Sequence, residues 1–369
     1  MFYAQLAMNK KPSAPRPIEA IDLFCGAGGL TYGLRKADIK VLAGVDVDPA
    51  CKYPYEENNE APFCLRDVVQ LKGDMLNNLF TKGSVKLLAG CAPCQPFSTY
   101  SNGRKAQLSS RWGLLSEFGR LVGELKPELV TMENVPQIEK HAPFVGFVAL
   151  LERLKYKVAW GVVDCAEFGV PQRRKRLVLL ASLLGEIAMP RPTRTDPKKW
   201  ITVRDAIGRL SEIAAGVRDN GADRLHVASQ LSETNLARIR NSSPGGTWQE
   251  WPEDLRADCH QKESGKSYKS VYGRMSWDQP SPTMTTLCFG FGNGRFGHPE
   301  QDRAISLREA AILQSFPRKY KFCPKDATVE FRTIGRMIGN AVPPGLGHEI
   351  GRAFAAHVIQ VGKTRRSAV

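Results

Sequence analysis

Asp22-Leu23-Phe24-Cys25-Gly26-Ala27-Gly28-Gly29 is the stretch that decides the fold. It leaves a short apolar run, Ile18–Phe24, and enters Leu30–Lys36, where apolar residues recur at three- and four-residue spacing. A strand that turns through glycines into a helix is the opening unit of an α/β sheet, and glycine lets the backbone turn tightly and approach a ligand there. The next expected strand, Val41–Val45, runs into Asp46, 20 residues beyond Gly26, the spacing at which a carboxylate meets a ribose hydroxyl pair. The glycines read GxGG rather than GxGxxG, and no Gly-Lys-Ser/Thr follows, so phosphate sites for NAD or ATP are disfavoured. An adenosyl ligand without phosphates fits better. On this motif alone, a plain glycine-rich turn beside a surface Asp46 stays open.

Working outward, the same rhythm continues. Val85–Ala89, Glu128–Met132, Val158–Val163 and Arg176–Ala181 read as further strands, with Pro49–Asn58, Leu114–Leu125 and Phe144–Leu154 as helices between them. The expectation is a largely parallel sheet covered by helices on both faces. The rhythm breaks at Met189-Pro190-Arg191-Pro192, and turn dipeptides such as Asn220-Gly221 and Asn293-Gly294 mark an irregular stretch to about Asp302. Helical signals return at Ser306-Leu307-Arg308-Glu309, a capping box, and at Leu346–Val358. The expected organisation is a tail (1–17), a first catalytic part (18–190), a smaller irregular domain (191–302) and a return segment (303–369).

With 369 residues, 42% of them hydrophobic, the chain can bury a sizeable core, and 52 Lys+Arg against 37 Asp+Glu give a net charge of +15. Such an excess points to a polyanionic partner or an anionic membrane surface. No apolar run reaches the roughly 18 residues of a membrane span, and Lys10 and Lys11 follow rather than precede the few apolar residues of the N-terminus, the reverse of a secretory signal. A cytoplasmic protein with free thiols is expected. No second Cys/His pair accompanies Cys91-Ala92-Pro93-Cys94, so no metal site is expected.

Three further segments sit at strand ends. Cys94 in Pro93-Cys94-Gln95 follows Val85–Ala89, where a thiol faces the cleft and can act as a nucleophile. A core-filling cysteine and a Cys-x-x-Cys redox pair are its alternatives. Glu133 in Glu133-Asn134-Val135 is a candidate acid or hydrogen-bond partner for a base ring. Gln172-Arg173-Arg174-Lys175-Arg176 puts Arg174 and Arg176 on one face of a strand, though alone it reads as a solvated basic edge.

Taken in order, GxGG, Pro-Cys-Gln, Glu-Asn-Val, Gln-Arg-x-x-Arg and Gly339-Asn340-Ala341-Val342-Pro343 resemble the DNA cytosine-5 methyltransferase family, of the bacterial restriction-modification or orphan type. The resemblance runs from about Ile18 to Ala355 and fails only across the middle segment. There, Arg274-Met275-Ser276-Trp277-Asp278 with Pro282-Thr283 is similar to the family's far edge of the target recognition domain. It implies a Rossmann-like methyltransferase sheet with a smaller irregular recognition domain.

The resemblance also implies roles. Cys94 attacks cytosine C6, Glu133 holds the N3 and amine edge, Arg176 contacts O2, and Arg174, counted with them, supports the loop. S-adenosyl-L-methionine is the implied cofactor, met by Phe24, Gly26, Gly28, Gly29, Asp46, Asp67, Pro93, Asn340 and Val342. Duplex DNA is the implied partner, its cytosine flipped out and met by Gln95, Ser98, Arg104, Arg111 and Arg274. A lid over about Ser98 to Trp112 closes on it. A cognate restriction endonuclease is a possible functional partner, no membrane is involved, and a monomer is expected. A related tRNA cytosine methyltransferase is disfavoured because its Cys-Phe-Thr signature is missing.

Two positions depart from the family pattern. Cys91 stands where glycine is common, and Ser109-Ser110-Arg111 lacks a nearby acidic residue. Which bases are read is not legible, since Arg238, Arg240, Trp248 and Arg256 could face bases, phosphates or core. The three segments 1–190, 191–302 and 303–369 carry +5, +2 and +8. Phosphate attraction is therefore expected mainly from the catalytic side of the cleft.

Overall fold

A computed structural model of the chain describes residues 16–93, 108–221 and 223–367. Seven strands, β1 (Ile18–Leu23), β2 (Lys40–Asp46), β3 (Phe63–Leu65), β4 (Val85–Gly90), β5 (Leu129–Asn134), β6 (Lys157–Asp164) and β7 (Lys175–Ser182), form one sheet in the order β3-β2-β1-β4-β5-β7-β6. The first five are parallel, so β1, β2, β3, β4 and β5 all end on one edge. β7 alone runs the other way, antiparallel to both β5 and β6, so the sheet is largely parallel as expected, with one reversed strand near its edge. Pairing direction depends on where the connections run, which an apolar pattern does not encode. β3 was missed because three residues are too short to show alternation.

Alternation along each strand distributes its side chains between two cores. Ile21, Leu23, Leu88, Met132 and Leu179 face α3 (Gly73–Asn77), α4 (Leu108–Leu125) and α5 (Ala142–Arg153), after α1 (Gly29–Lys36) and α2 (Lys52–Asn59) in chain order. Ala20, Leu87, Leu129, Val178 and Leu180 face α1 and the C-terminal helix, which supplies Leu346, Ile350 and Phe354. The sheet is thus covered on both sides, as expected. Helix α4 begins at Leu108, so the last residues of the expected lid are helical.

From Leu183 to Ile305 the described residues contain no strand, only isolated bridges and short helices: α6 (Val203–Ile207), α7 (Glu233–Arg240), α8 (Asp258–Gln261) and α9 (Glu263–Lys266). Trp248, Trp251 and Phe291 form a small buried core there. Irregular backbone leaves carbonyls without ladder partners, and buried arginines take them. Arg303, fully buried, donates to the carbonyls of Ile213 and Ala304 and forks onto both carboxylate oxygens of Glu309 at 2.7 and 2.8 Å. The expected capping box is present, Ser306 Oγ accepting from the Glu309 N–H while the Glu309 carboxylate accepts from the Ser306 N–H. It opens α10 (Leu307–Leu313), followed by α11 (Phe331–Asn340) and α12 (Pro344–Ser367).

Arg274, expected at the DNA, is enclosed by the irregular region in this structure. It is 5% exposed, and its guanidinium donates to the carbonyls of Ile239, Ser242, His298 and Gln301 and to the Asp302 carboxylate. It braces the irregular region rather than reaching outward. Trp248 is core, its indole N–H donating to the Tyr268 carbonyl. Arg238 lies over the Trp251 and Tyr272 rings, Arg256 holds the Trp251 and Gln249 carbonyls, and Arg240 is an exposed partner of Asp302. No helix among the described residues is long and apolar enough to cross a membrane.

Candidate active site

The parallel strands end around the Asp22–Gly29 turn. Phe24, Gly26 and Gly28 all have positive φ (57°, 53° and 90°), so the chain reverses within a few residues and hands over to α1. Gly28 is required twice, by its φ and because a Cβ would lie 2.3 Å from the Asn59 amide nitrogen. At Gly29 a Cβ would lie 2.3 Å from the Val342 carbonyl oxygen, so Val342, in the loop before α12, presses directly on the turn. Tyr320 donates to the Ala27 carbonyl and closes the turn from the return segment.

Asp46 ends β2, and both its oxygens serve the site: Oδ2 accepts from the Gly26 N–H at 2.9 Å and Oδ1 from the Asp48 N–H at 3.0 Å. Each carboxylate oxygen has a second lone pair, so acceptor capacity remains. Asp67 Oδ1 caps the short turn Val68–Gln70 through the Val69 N–H. Val47, Leu65 and Val69, at the ends of β2 and β3, are exposed apolar side chains. Beneath the turn lies Asp22, a position the motif reading did not use. Burial pushes its carboxyl up to about 7 against the opposing hydrogen bond from Thr31.

β4, β5 and β7 bring together a second group. Glu133, in β5, and Arg176, in β7, are diagonal neighbours on one sheet face, with Arg176 Nε 3.0 Å from Glu133 Oε1. Glu133 is 3% exposed, and Oε1, although in charge contact with Arg176, accepts no aligned hydrogen bond. Oε2 accepts from the Cys91 thiol at 2.9 Å. Asn134 donates to the Ala92 carbonyl at 3.1 Å, tying the end of β5 to the segment that leads into Pro93 and Cys94.

Arg174 is buried, with one nitrogen donating to the Met284 carbonyl and another to the Gly339 carbonyl. It thereby joins the approach to β7, the Pro282-Thr283 segment and the end of α11. Burial, reinforced by the Arg176 charge, pushes its guanidinium pKa down, though not far enough to lose its charge at neutral pH. Gln172, which opens the Gln-Arg-x-x-Arg motif but was given no role of its own, is fully buried and bonds Leu313, Gln314 and Met284.

Pro93 is exposed at the mouth of this group. Cys94, Gln95, Ser98 and Arg104 lie outside the described residues, and of Arg111 only the helical backbone is described. Asn340 is exposed at the end of α11 and Val342 is buried against Gly29. Two roles were invisible in the sequence. The Cys91–Glu133 contact exists only because β4 and β5 are neighbours, and Asn134 matters through a carbonyl 42 residues away. Among the described residues no group of three or more His, Cys, Asp or Glu could hold a metal ion.

Comparison with known proteins follows this geometry. The family described as C-5 cytosine-specific DNA methylase matches residues 18–356. The chain is 52% identical over 337 residues to the Type II methylase M.HgiDII of Herpetosiphon aurantiacus, covering 90% of this chain and 94% of that one. It is 34% identical to the Type II methyltransferase M1.HphI of Haemophilus parahaemolyticus, over 90% and 85% of the two chains. Among solved structures, a prophage-encoded protein of E. coli described as a DNA modification methyltransferase superposes with a TM-score of 0.69 at 22% identity, covering 92% of this chain and 99% of that one.

Proposed function

The chain belongs to the C-5 cytosine-specific DNA methylase family and is a DNA (cytosine-5)-methyltransferase, and from that premise we propose how its residues divide the chemistry. Cytosine C5 is a poor nucleophile, so the ring has to be activated before it can take a methyl group. Cys94, as a thiolate, adds to C6, forming the S–C6 bond and pushing electron density to C5. Glu133 holds the N3 and exocyclic-amine edge and favours a proton at N3 as the thiolate adds. Arg176 contacts O2 while lying against the Glu133 carboxylate. Once C5 has formed its bond to the methyl group that the cofactor would supply, a base, water in this reading, removes the C5 proton, and Cys94 leaves with the S–C6 bonding pair as C5=C6 reforms.

Arg174 acts as a positioning residue, holding the strand start beneath Arg176. The single observation that carries the reading is the buried Glu133 carboxylate with the part-buried Arg176 against it at the carboxyl edge of the sheet, one of its oxygens accepting no hydrogen bond. The target base reaches such a pocket only if it leaves the duplex stack. Gln95, Ser98, Arg104 and Arg111, in and beside the lid segment, are proposed DNA contacts.

S-adenosyl-L-methionine is the proposed cofactor, and the residues fit it. A Cβ placed on Gly26 would meet nothing within 4 Å, so there is room above the turn. Asp46 keeps acceptor capacity for ribose hydroxyls, and Val47, Leu65 and Val69 offer apolar surface near Asp67 for a planar base. Phe24, Gly28, Gly29, Pro93, Asn340 and Val342 would complete the methionine side. When bound, the cofactor supplies an electrophilic methyl group. The Type II names of the relatives support a role as the modification partner of a restriction endonuclease, with solitary action as the other context. Action as a monomer on duplex DNA is proposed, with a catalytic and a recognition part of one chain clamping one duplex.

The test uses tritiated S-adenosylmethionine, mixed-sequence duplex DNA and base analysis. Label in 5-methylcytosine is expected, Cys94→Ser should abolish transfer while cofactor binding persists, and 5-fluorocytosine DNA should trap a covalent adduct. Unchanged turnover in Cys94→Ser would remove Cys94 as the nucleophile.

A further inference from the structure

Cys91 stands out in the sequence as a thiol near Cys94 at a position where glycine is common, and the fold gives it another partner. β4 and β5 are parallel, with Gly90 opposite Met132, so the residues that follow, Cys91 and Glu133, emerge side by side. The Cys91 thiol donates to Glu133 Oε2 at 2.9 Å. On the other oxygen, Arg176 Nε sits at 3.0 Å without hydrogen-bond alignment, so Oε1 is a buried acceptor held by charge but not by direction. A carboxylate turns easily about its last torsion, whose well is broad. A charge contact with Arg176 alone does not fix that rotation, whereas a directional donor on Oε2 does. The segment bearing Cys91 is itself anchored, since Asn134 holds the adjacent Ala92 carbonyl.

We propose that Cys91 is a positioning residue for methyl transfer: its thiol fixes the plane of the Glu133 carboxylate and leaves Oε1 as the oxygen that meets the cytosine edge. The proposal rests on the reading of Glu133 as the base-holding carboxylate. No bond to Cys91 forms or breaks, and the thiol keeps its proton throughout. A serine can replace the donor, and an alanine cannot. Cys91 also packs at the margin of the core shared by α1 and α12. A purely structural role would therefore appear as lost stability rather than as a specific loss of rate.

The experiment is a double-mutant cycle read by single-turnover transfer of tritiated methyl to mixed-sequence duplex DNA, a label that follows rates far below the wild type. Cys91→Ala should slow the transfer step about tenfold, with KM for DNA and cofactor changed less than about twofold. Cys91→Ser should recover most of the rate. In a Glu133→Gln background, Cys91→Ala should cause no further slowing, because its effect passes through the carboxylate. Wild-type rates in Cys91→Ala would overturn the proposal. So would equal slowing by Cys91→Ala in both backgrounds, with serine failing to rescue. A different pattern marks failure of the underlying reading: if Glu133→Gln itself transferred methyl at the wild-type rate, the base-holding role of Glu133 would fall and this proposal with it.

Discussion

The sheet and the region from Leu183 to Ile305 solve one problem in two ways. In the interior of the sheet, backbone carbonyls find N–H groups on the neighbouring strands, so the side chains are free to pack. The irregular region has no ladder among its described residues, and arginine side chains serve its carbonyls instead: Arg274 takes four and Arg303 two. Stability in the sheet is spread over many equivalent bonds. In the irregular region it is concentrated in a few guanidinium groups, each joining segments far apart in sequence.

That contrast predicts a graded set of losses. Arg303→Met should do the most damage, about 3–5 kcal/mol, because it leaves Glu309 as an unpaired buried charge. Its acid response should differ as well. Burial pushes Glu309 up, but the Arg303 hydrogen bonds and charge outweigh that and hold its pKa at about 2, below the ordinary 4.5. A depressed carboxylate pKa stabilises the fold above pH 4.5, and that contribution is lost as pH falls toward 2. Thermal melts across that range should show the loss in the wild type and much less of it in Arg303→Met.

Arg274→Met comes next, at about 2–3 kcal/mol, since several buried carbonyls lose their donor together. Hydrogen exchange should localise the loosening to residues 239–302 and leave β1 to β5 protected. Thr131→Val is the counterpart within the sheet. It removes one buried bond, from Thr131 Oγ1 to the Leu179 carbonyl, and should cost about 1 kcal/mol by chemical denaturation. If Arg274→Met cost no more than Thr131→Val, the distinction between laddered and braced regions would collapse.

The same contrast explains what the sequence made legible. Strands β1, β2, β4, β5, β6 and β7 were readable because alternation and buried runs are local signals, and the glycine turn was readable because its constraint on φ is local too. The direction of β7, the three-residue β3 and the start of α4 at Leu108 depend on tertiary context. The arginines misled most, because a basic residue in a cationic chain looks the same in sequence whether it faces phosphate or a buried carbonyl. Arg174, Arg274, Arg303 and Arg308 are all buried, so part of the +15 is internal structure and unavailable to DNA. The site was legible as motifs, whereas the Cys91 thiol on Glu133 and the Asn134 anchor on Ala92 required knowing that β4 and β5 are neighbours.

The approach of Val342 to Gly29 has a consequence for synthesis on the ribosome. All seven strands lie within the first 182 residues, so the sheet can begin to form while the rest of the chain is unmade. The turn, however, is closed by residues near the other terminus, Tyr320 reaching Ala27 across 293 positions and Val342 seating on Gly29. A nascent chain that has not yet released α12 therefore lacks both the closure of the glycine turn and the helix that covers one face of the sheet. A prematurely terminated product can therefore begin the sheet without ever closing the turn.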